Sequence, residues 1–212
     1  MADVLLHPLM GLTRCGNGQL RGADLPNAAR CSIKRQRSEE QSVPAKIPVF
    51  VSAPSSLSPE QDTTYRQLVA ILDRENLERR ALGRSDYPDE YPLKEILLMA
   101  RHCSGGVVLG FNQFEGRNGR WKPWDDEPRE VADVKLPTPW NHIEAGILFA
   151  LRLPIMVFAE DGVNGGIFDR GVSDVFLQKL PLGGFSTAEH DSLMFSIQSW
   201  ATRVRSHYRA WD

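Results

Sequence analysis

From Ile47 onward, short unbroken apolar runs alternate with longer stretches in which apolar residues recur at helical spacing. The runs Ile47-Pro48-Val49-Phe50-Val51-Ser52, Val107-Val108-Leu109-Gly110-Phe111 and Ile155-Met156-Val157-Phe158-Ala159 read as strands buried on both faces. Leu77 to Leu82 predicts a further, edge-like strand. Between them, Tyr65, Leu68, Val69 and Leu72 share one helical face, and Leu93, Ile96, Leu97 and Ala100 share another. Ser58-Pro59-Glu60-Gln61 and Ser186-Thr187-Ala188-Glu189 both have the spacing of a capping box. The second opens a long amphipathic helix carrying Leu193, Ile197, Trp200, Ala201, Val204 and Tyr208, which should pack on the sheet or on a partner. Tyr91-Pro92 opens the helix before the third strand, and Gly105-Gly106 is expected to stop it. Residues 112–138 read as a long polar loop.

Strands alternating with helices imply an α/β fold: a three-layer α/β/α sandwich around a mainly parallel, flavodoxin-like (Rossmann-like) sheet. In such a sheet ligands bind beyond the carboxyl ends of the strands, so the loops after Ser52, Leu82, Phe111 and Ala159 should share one functional rim. Residues 1–45, with scattered Gly, Pro and Asn and the polar run Ser32 to Glu40, read as a weakly structured extension. Residues 46–212 read as the α/β domain.

One residue interrupts this pattern. Thr138 and Pro139 have the chemistry of an N-cap and first helical residue, and Ile143, Ile147, Leu148 and Leu151 follow at helical spacing. Glu144 stands one turn above Ile147 and Leu148, on the face they define. It lies in the second turn, beyond the reach of a capping role, so it should point inward or into a cleft. A carboxylate fixed there suits a reaction that builds positive charge on its substrate. The acid can stabilise that charge or attack it to form a covalent intermediate.

The composition is that of an ordinary globular chain: 212 residues, 42% hydrophobic, 25% charged, net charge −2. No bulk charge favours nucleic acid or an anionic membrane, and no stretch approaches the roughly 20 apolar residues of a membrane span. Three cysteines, Cys15, Cys31 and Cys103, lack metal-ligand spacing and fit a reducing compartment, so a cytoplasmic location is expected. The histidines form no ligand pattern either, and neither a metal nor a cofactor is expected. No glycine-rich dinucleotide or P-loop fingerprint occurs; Gly162-Val163-Asn164-Gly165-Gly166 reads first as a flexible loop, with anion binding as the other option.

Val49-Phe50-Val51-Ser52-Ala53-Pro54 resembles the first strand and loop of nucleoside 2-deoxyribosyltransferases, and the segment from Trp140 to Pro154 resembles their catalytic-glutamate helix. The same helix resembles that of TIR-domain NAD hydrolases; together the likeness covers residues 47 to about 160. The resemblance implies that Glu144 is the catalytic carboxylate, and that Ser52, Pro54, Ser55 and Trp140 belong to the substrate pocket. It implies a nucleotide or nucleoside substrate, NAD foremost, with assembly into a homo-oligomer or with a partner protein and a role in antiviral defence through NAD depletion. One departure stands out. Deoxyribosyltransferases commonly carry an acid just after the third strand, where this chain has Gly110-Phe111-Asn112-Gln113.

Asn112 is accordingly a candidate ribose ligand, with turn chemistry as an equal account. Asp86, in Ser85-Asp86-Tyr87-Pro88, is a candidate hydroxyl ligand or general acid, against an Asx-type turn. Trp121 and Trp124 are either a lid over a base or anchors of the long loop. The leading expectation is an NAD glycohydrolase. The alternatives are base exchange between deoxyribonucleosides, a nucleotide sensor without turnover, and an interaction module.

Overall fold

In the computed structural model, which describes residues 45–82, 91–171 and 176–210, five parallel strands form the central sheet: β1 (Ile47–Ser52), β2 (Leu77–Arg80), β3 (Gly106–Gly110), β6 (Ile155–Glu160) and β7 (Phe176–Leu180). Their order is β2-β1-β3-β6-β7, the flavodoxin-like arrangement expected from the alternating pattern. Helices α1 (Pro59–Arg74) and α4 (Thr187–Arg209) cover one face, while α2 (Pro92–Arg101) and α3 (Pro139–Ala150) cover the other. The α/β sandwich is therefore three layers deep, and residues 43–212 form one compact unit. The expected extension, residues 1–45, lies almost wholly outside the described residues.

The caps are where the sequence puts them. The Ser58 hydroxyl accepts from the Gln61 amide at 3.2 Å, and the Gln61 side chain accepts from the Ser58 amide at 3.1 Å, which satisfies two donors at the start of α1. Ser186 and Glu189 do the same for α4, and their hydrogen bonds hold the Glu189 carboxyl below its ordinary range. Leu193, Ile197, Trp200, Ala201 and Val204 of α4 pack against Val49, Val51, Val107 and Met156, so this long helix docks on the sheet.

On the opposite face, Ile96 and Ala100 of α2 and Ala145 and Leu148 of α3 close over Phe50, Val108, Ile155 and Val157. Gly106 permits this close approach, because a Cβ there would lie 2.5 Å from Leu148 Cδ1. Helix α3 is thereby drawn onto β1 and β3, the two strands between which the chain reverses its direction of travel across the sheet.

Three expectations need correction. Residues 112–138 are not a loop: β4 (Phe114–Trp121) and β5 (Arg129–Leu136) pair antiparallel as a hairpin, tied at its base by Lys135 Nζ donating to the Asp161 carbonyl at 3.2 Å. Both strands are largely solvent-exposed on both faces, so the sequence carries no period-2 contrast there. Gly105 and Gly106 do not stop α2, which ends at Arg101; Gly106 already pairs with Ile155 as the first residue of β3. The inward face of α3 is also rotated from the expected one. Asn141, Ala145 and Leu148 are its buried residues, whereas Ile143 faces outward. Edge strand β7 adds a fifth member to the sheet, after the short 3₁₀ turn at Gly166–Phe168.

Candidate active site

Beyond the carboxyl ends of β1 and β3 lies a cleft of about 290 Å³ that contains Glu144. Its walls are mostly apolar: Ala53 and Pro54 after β1, Leu82 after β2, Pro92 and Ile96 of α2, and Trp140 of α3. Ser55, Thr138 and Glu144 supply the polar groups. An apolar cavity with a few convergent polar groups, at the reversal point of a parallel sheet, is the usual form of a small-molecule site. Three larger cavities among the described residues lie beside it: one of about 490 Å³ between β2 and α2, which shares Leu82 with the cleft, one of about 370 Å³ around Cys103, Leu153 and Tyr208, and one of about 430 Å³ beyond the ends of β6 and β7, lined by Glu160, Asp161, Arg170 and Lys179.

Thr138 caps α3, accepting the Asn141 amide hydrogen at 3.4 Å, and the next turn carries Glu144 over the end of β1. Burial in the apolar cleft pushes the Glu144 carboxyl up from 4.5 to about 7, against the opposing pull of a hydrogen bond from the Ser52 hydroxyl. A carboxyl titrating near neutrality is available both as the anion, able to face a sugar cation, and as the neutral acid. Ser52 itself is only 1% exposed; its oxygen accepts the Asn141 Nδ2–H at 2.7 Å.

The site residues expected from sequence fall into three groups. Glu144, Pro54, Ser55 and Trp140 line the cleft, and Ser52 touches Glu144 from beneath. Asn112 is placed elsewhere: its amide donates to the buried Glu160 carboxylate at 3.0 Å, its Nδ2 donates to Glu115 at 2.8 Å, and it is not part of the cleft wall. Gln61 completes that second cluster, donating to Glu160 at 2.9 Å and to the Asn112 carbonyl at 3.1 Å. Asp86 lies outside the described residues.

Trp121 and Trp124, 62% and 83% exposed, sit at the tip of the hairpin and not in the cleft wall. The amide of Gly165 in the glycine loop already donates to Asp169 at 2.8 Å, which leaves that donor no anion to seek. Among the described residues no group of three His, Cys, Asp or Glu is placed to hold a metal ion, and no described helix is long and apolar enough to cross a membrane.

Sequence reasoning missed Thr138 and Asn141 as members of the site. The signal was an asparagine at the position where a capping box carries Glu or Gln. Its Oδ1 stays with the cap, accepting from the Thr138 hydroxyl at 2.9 Å, while its Nδ2 reaches across the fold to Ser52.

No family model matches the chain, and no curated protein matches it. Among solved structures it is similar to the CMP N-glycosidase BcmB of Clostridium botulinum, with 15% sequence identity and a TM-score of 0.44, over 72% of this chain and 98% of that one.

Trp140 is 45% exposed and offers the broadest aromatic face at the cleft. If it packs on a planar base, Trp140→Ala should raise KM about tenfold with little change in kcat, since stacking of one base is worth roughly 1–3 kcal/mol. Steady-state kinetics check this; an unchanged KM would remove Trp140 from the binding surface.

Proposed function

We propose that this protein is an N-glycosidase acting on nucleotide-type substrates, with Glu144 as its catalytic carboxylate. One observation carries the reading. The two segments that resemble deoxyribosyltransferase motifs, 49–54 and 140–154, are about 90 residues apart in sequence, yet they meet in a single apolar cleft, where Glu144 of the second lies against Ser52 of the first.

In the proposed reaction the Glu144 anion faces C1′ of the sugar as the C1′–N bond breaks, and the bonding pair leaves with the base. The sugar cation is then either held by the carboxylate until water adds to C1′ and gives up a proton, or captured as a glycosyl ester that water opens in the same way. A nicotinamide ring is already cationic, so the bonding pair neutralises it and no proton need be donated. Adenine or cytosine would call for an acid. A cationic leaving group asks for no more than the one carboxylate that Glu144 brings to the cleft wall. NAD glycohydrolysis is therefore the specific reading. A cytoplasmic role in antiviral NAD depletion, exercised in an oligomer or with a partner protein, extends it by the resemblance to TIR-domain enzymes.

The test is chromatographic product analysis after incubating the protein, dilute and concentrated, with NAD and a panel of nucleotides and deoxynucleosides. Release of nicotinamide supports the specific reading, and release that rises more steeply than protein concentration supports assembly. Transfer of a base between deoxynucleosides would instead make it a deoxyribosyltransferase. Binding of a nucleotide with no bond broken, at any concentration, would make it a sensor.

A further inference from the structure

We infer that Asn141 is the positioning residue of this site, holding the Ser52 hydroxyl in the one orientation that directs its proton to Glu144. The inference rests on Glu144 being the reacting group, as proposed above.

The geometry leaves the asparagine little freedom. Its side chain is 1% exposed, and each polar atom has a partner: Oδ1 accepts from the Thr138 hydroxyl at 2.9 Å, while Nδ2 donates to Ser52 Oγ at 2.7 Å and to the Leu109 carbonyl at 3.3 Å. The carbonyl of Leu109 can only accept, so the nitrogen must face it and the amide cannot be turned over. One amide hydrogen thus spans to β3 and the other to β1, and the Ser52 oxygen is an acceptor in that bond. A serine hydroxyl has a single proton. With its oxygen engaged by Asn141, that proton is free for the carboxyl of Glu144, which it pulls toward the anion. Thr138, Asn141 and Ser52 form one directed chain of donors, and the Ser52 hydroxyl at its end favours the anion of Glu144.

Among the described residues no other ionisable side chain lines the cleft. From α2 the cleft receives Pro92 and Ile96, from α3 Thr138 and Trp140, and from the β1 loop Ala53, Pro54 and Ser55. Glu95 of α2 lines the separate cavity beside β2, and the His142 ring meets Phe168 edge-on on the other side of α3. The chain of hydrogen bonds is thus what sets how readily the acid ionises within its apolar surroundings.

The experiment follows the Glu144 carboxyl directly, by NMR titration of the full-length protein labelled with ¹³C-glutamate, with Glu144→Gln identifying the resonance. Asn141→Leu keeps the volume and removes the amide; Ser52→Ala removes the proton. Each should raise the Glu144 midpoint by about one to two pH units, the equivalent of one hydrogen bond to a carboxylate. The double variant should shift no further than either single one, because both act through the same proton. If Asn141→Leu does not fold, Asn141→Ser carries the same expectation.

A folded Asn141 variant with an unmoved midpoint would overturn the inference, as would shifts that add in the double variant: Asn141 would then merely pin α3 to the sheet. The titration needs no substrate. Failure of the N-glycosidase reading would appear as absent base release in the wild type, and remains distinguishable from failure here. Where base release is measured, the acid limb of kcat/KM should move with the NMR midpoint.

Discussion

Replacing Glu144 by glutamine is expected to lower base release by about 100-fold to 1,000-fold and, in the same protein, to increase stability at pH 8. The first effect is the loss of the charge that meets the sugar cation. The second follows from linkage. Burial raises the folded carboxyl to about 7, while in the unfolded chain it ionises near 4.5. Between those values the folded state holds a proton that the unfolded state has released, so stability falls as pH rises. Below 4.5 both states are protonated and the acid costs nothing; above 7 the full cost is present. It amounts to roughly 3 kcal/mol, at 1.36 kcal/mol for each unit of pKa.

Glutamine is uncharged throughout and keeps an acceptor for Ser52. Its Tm should therefore exceed that of wild type by several degrees at pH 8, and the two curves should converge near pH 4. Thermal melts at both pH values test this. Parallel curves, offset equally at the two values, would mean that Glu144 is not desolvated, and retention of a tenth of the wild-type rate would remove it from the reaction. The same titration shapes the wild-type pH profile. Activity that needs the anion rises with pH through a midpoint near 7 in kcat/KM, which reports the free enzyme, and levels off above it. A cationic substrate lowers the carboxyl's pKa in the complex, so with NAD the limb in kcat should lie at lower pH. A neutral nucleoside would leave it in place or raise it.

How much of this could be read from the chain depends on how local each cause is. The capping boxes at Ser58 and Ser186 and the cap at Thr138 are decided within four residues, and all three stand where the spacing puts them. Strands β1, β3 and β6 announce themselves because both of their faces are buried, which forces continuous apolar runs. Edge strand β7 does not, since Gln178 and Lys179 interrupt its sequence. The hairpin is hidden for the related reason that neither of its faces is buried.

Glu144 was legible as an anomaly, an acid on an apolar helix, even though the rotation of α3 was not. Asn141, Ala145 and Leu148 face inward in place of Ile143 because Gly106 admits Leu148 so closely to β3. The Asn141–Ser52 bond joins residues 89 positions apart. The asparagine at the third helical position is its one local trace, and a polar residue in the first turn of a helix already has an adequate local explanation as a cap. Asn112 illustrates the converse. It sits on the rim the topology names, yet its hydrogen bonds run to Glu160 and Glu115 and carry it away from the cleft.

The largest expected effect on stability lies on the other side of the sheet. Trp200 is among the largest fully buried side chains; it packs in the core between α4 and the sheet, and its indole N–H donates to the Pro154 carbonyl at 3.0 Å, just before β6. Trp200→Ala removes the ring and leaves a cavity that Gly105, close beside it, is too small to fill. The cost should be about 3–5 kcal/mol, a large share of the roughly 5–15 kcal/mol that holds a domain together. Trp200→Phe retains most of the packing and forgoes the hydrogen bond, and should lose clearly less.

Urea titrations followed by far-ultraviolet circular dichroism test both, with the midpoint falling and the slope unchanged. A loss below about 1 kcal/mol for Trp200→Ala would mean that the helix is held by something other than this core. Trp200 belongs to the α1 and α4 side of the core, whereas Glu144 sits among α2 and α3 on the opposite face. Under conditions where Trp200→Phe remains folded, the Glu144 midpoint should therefore stay where it is, while Asn141→Leu moves it. That contrast separates residues that hold the sheet together from those that set the chemistry at its rim.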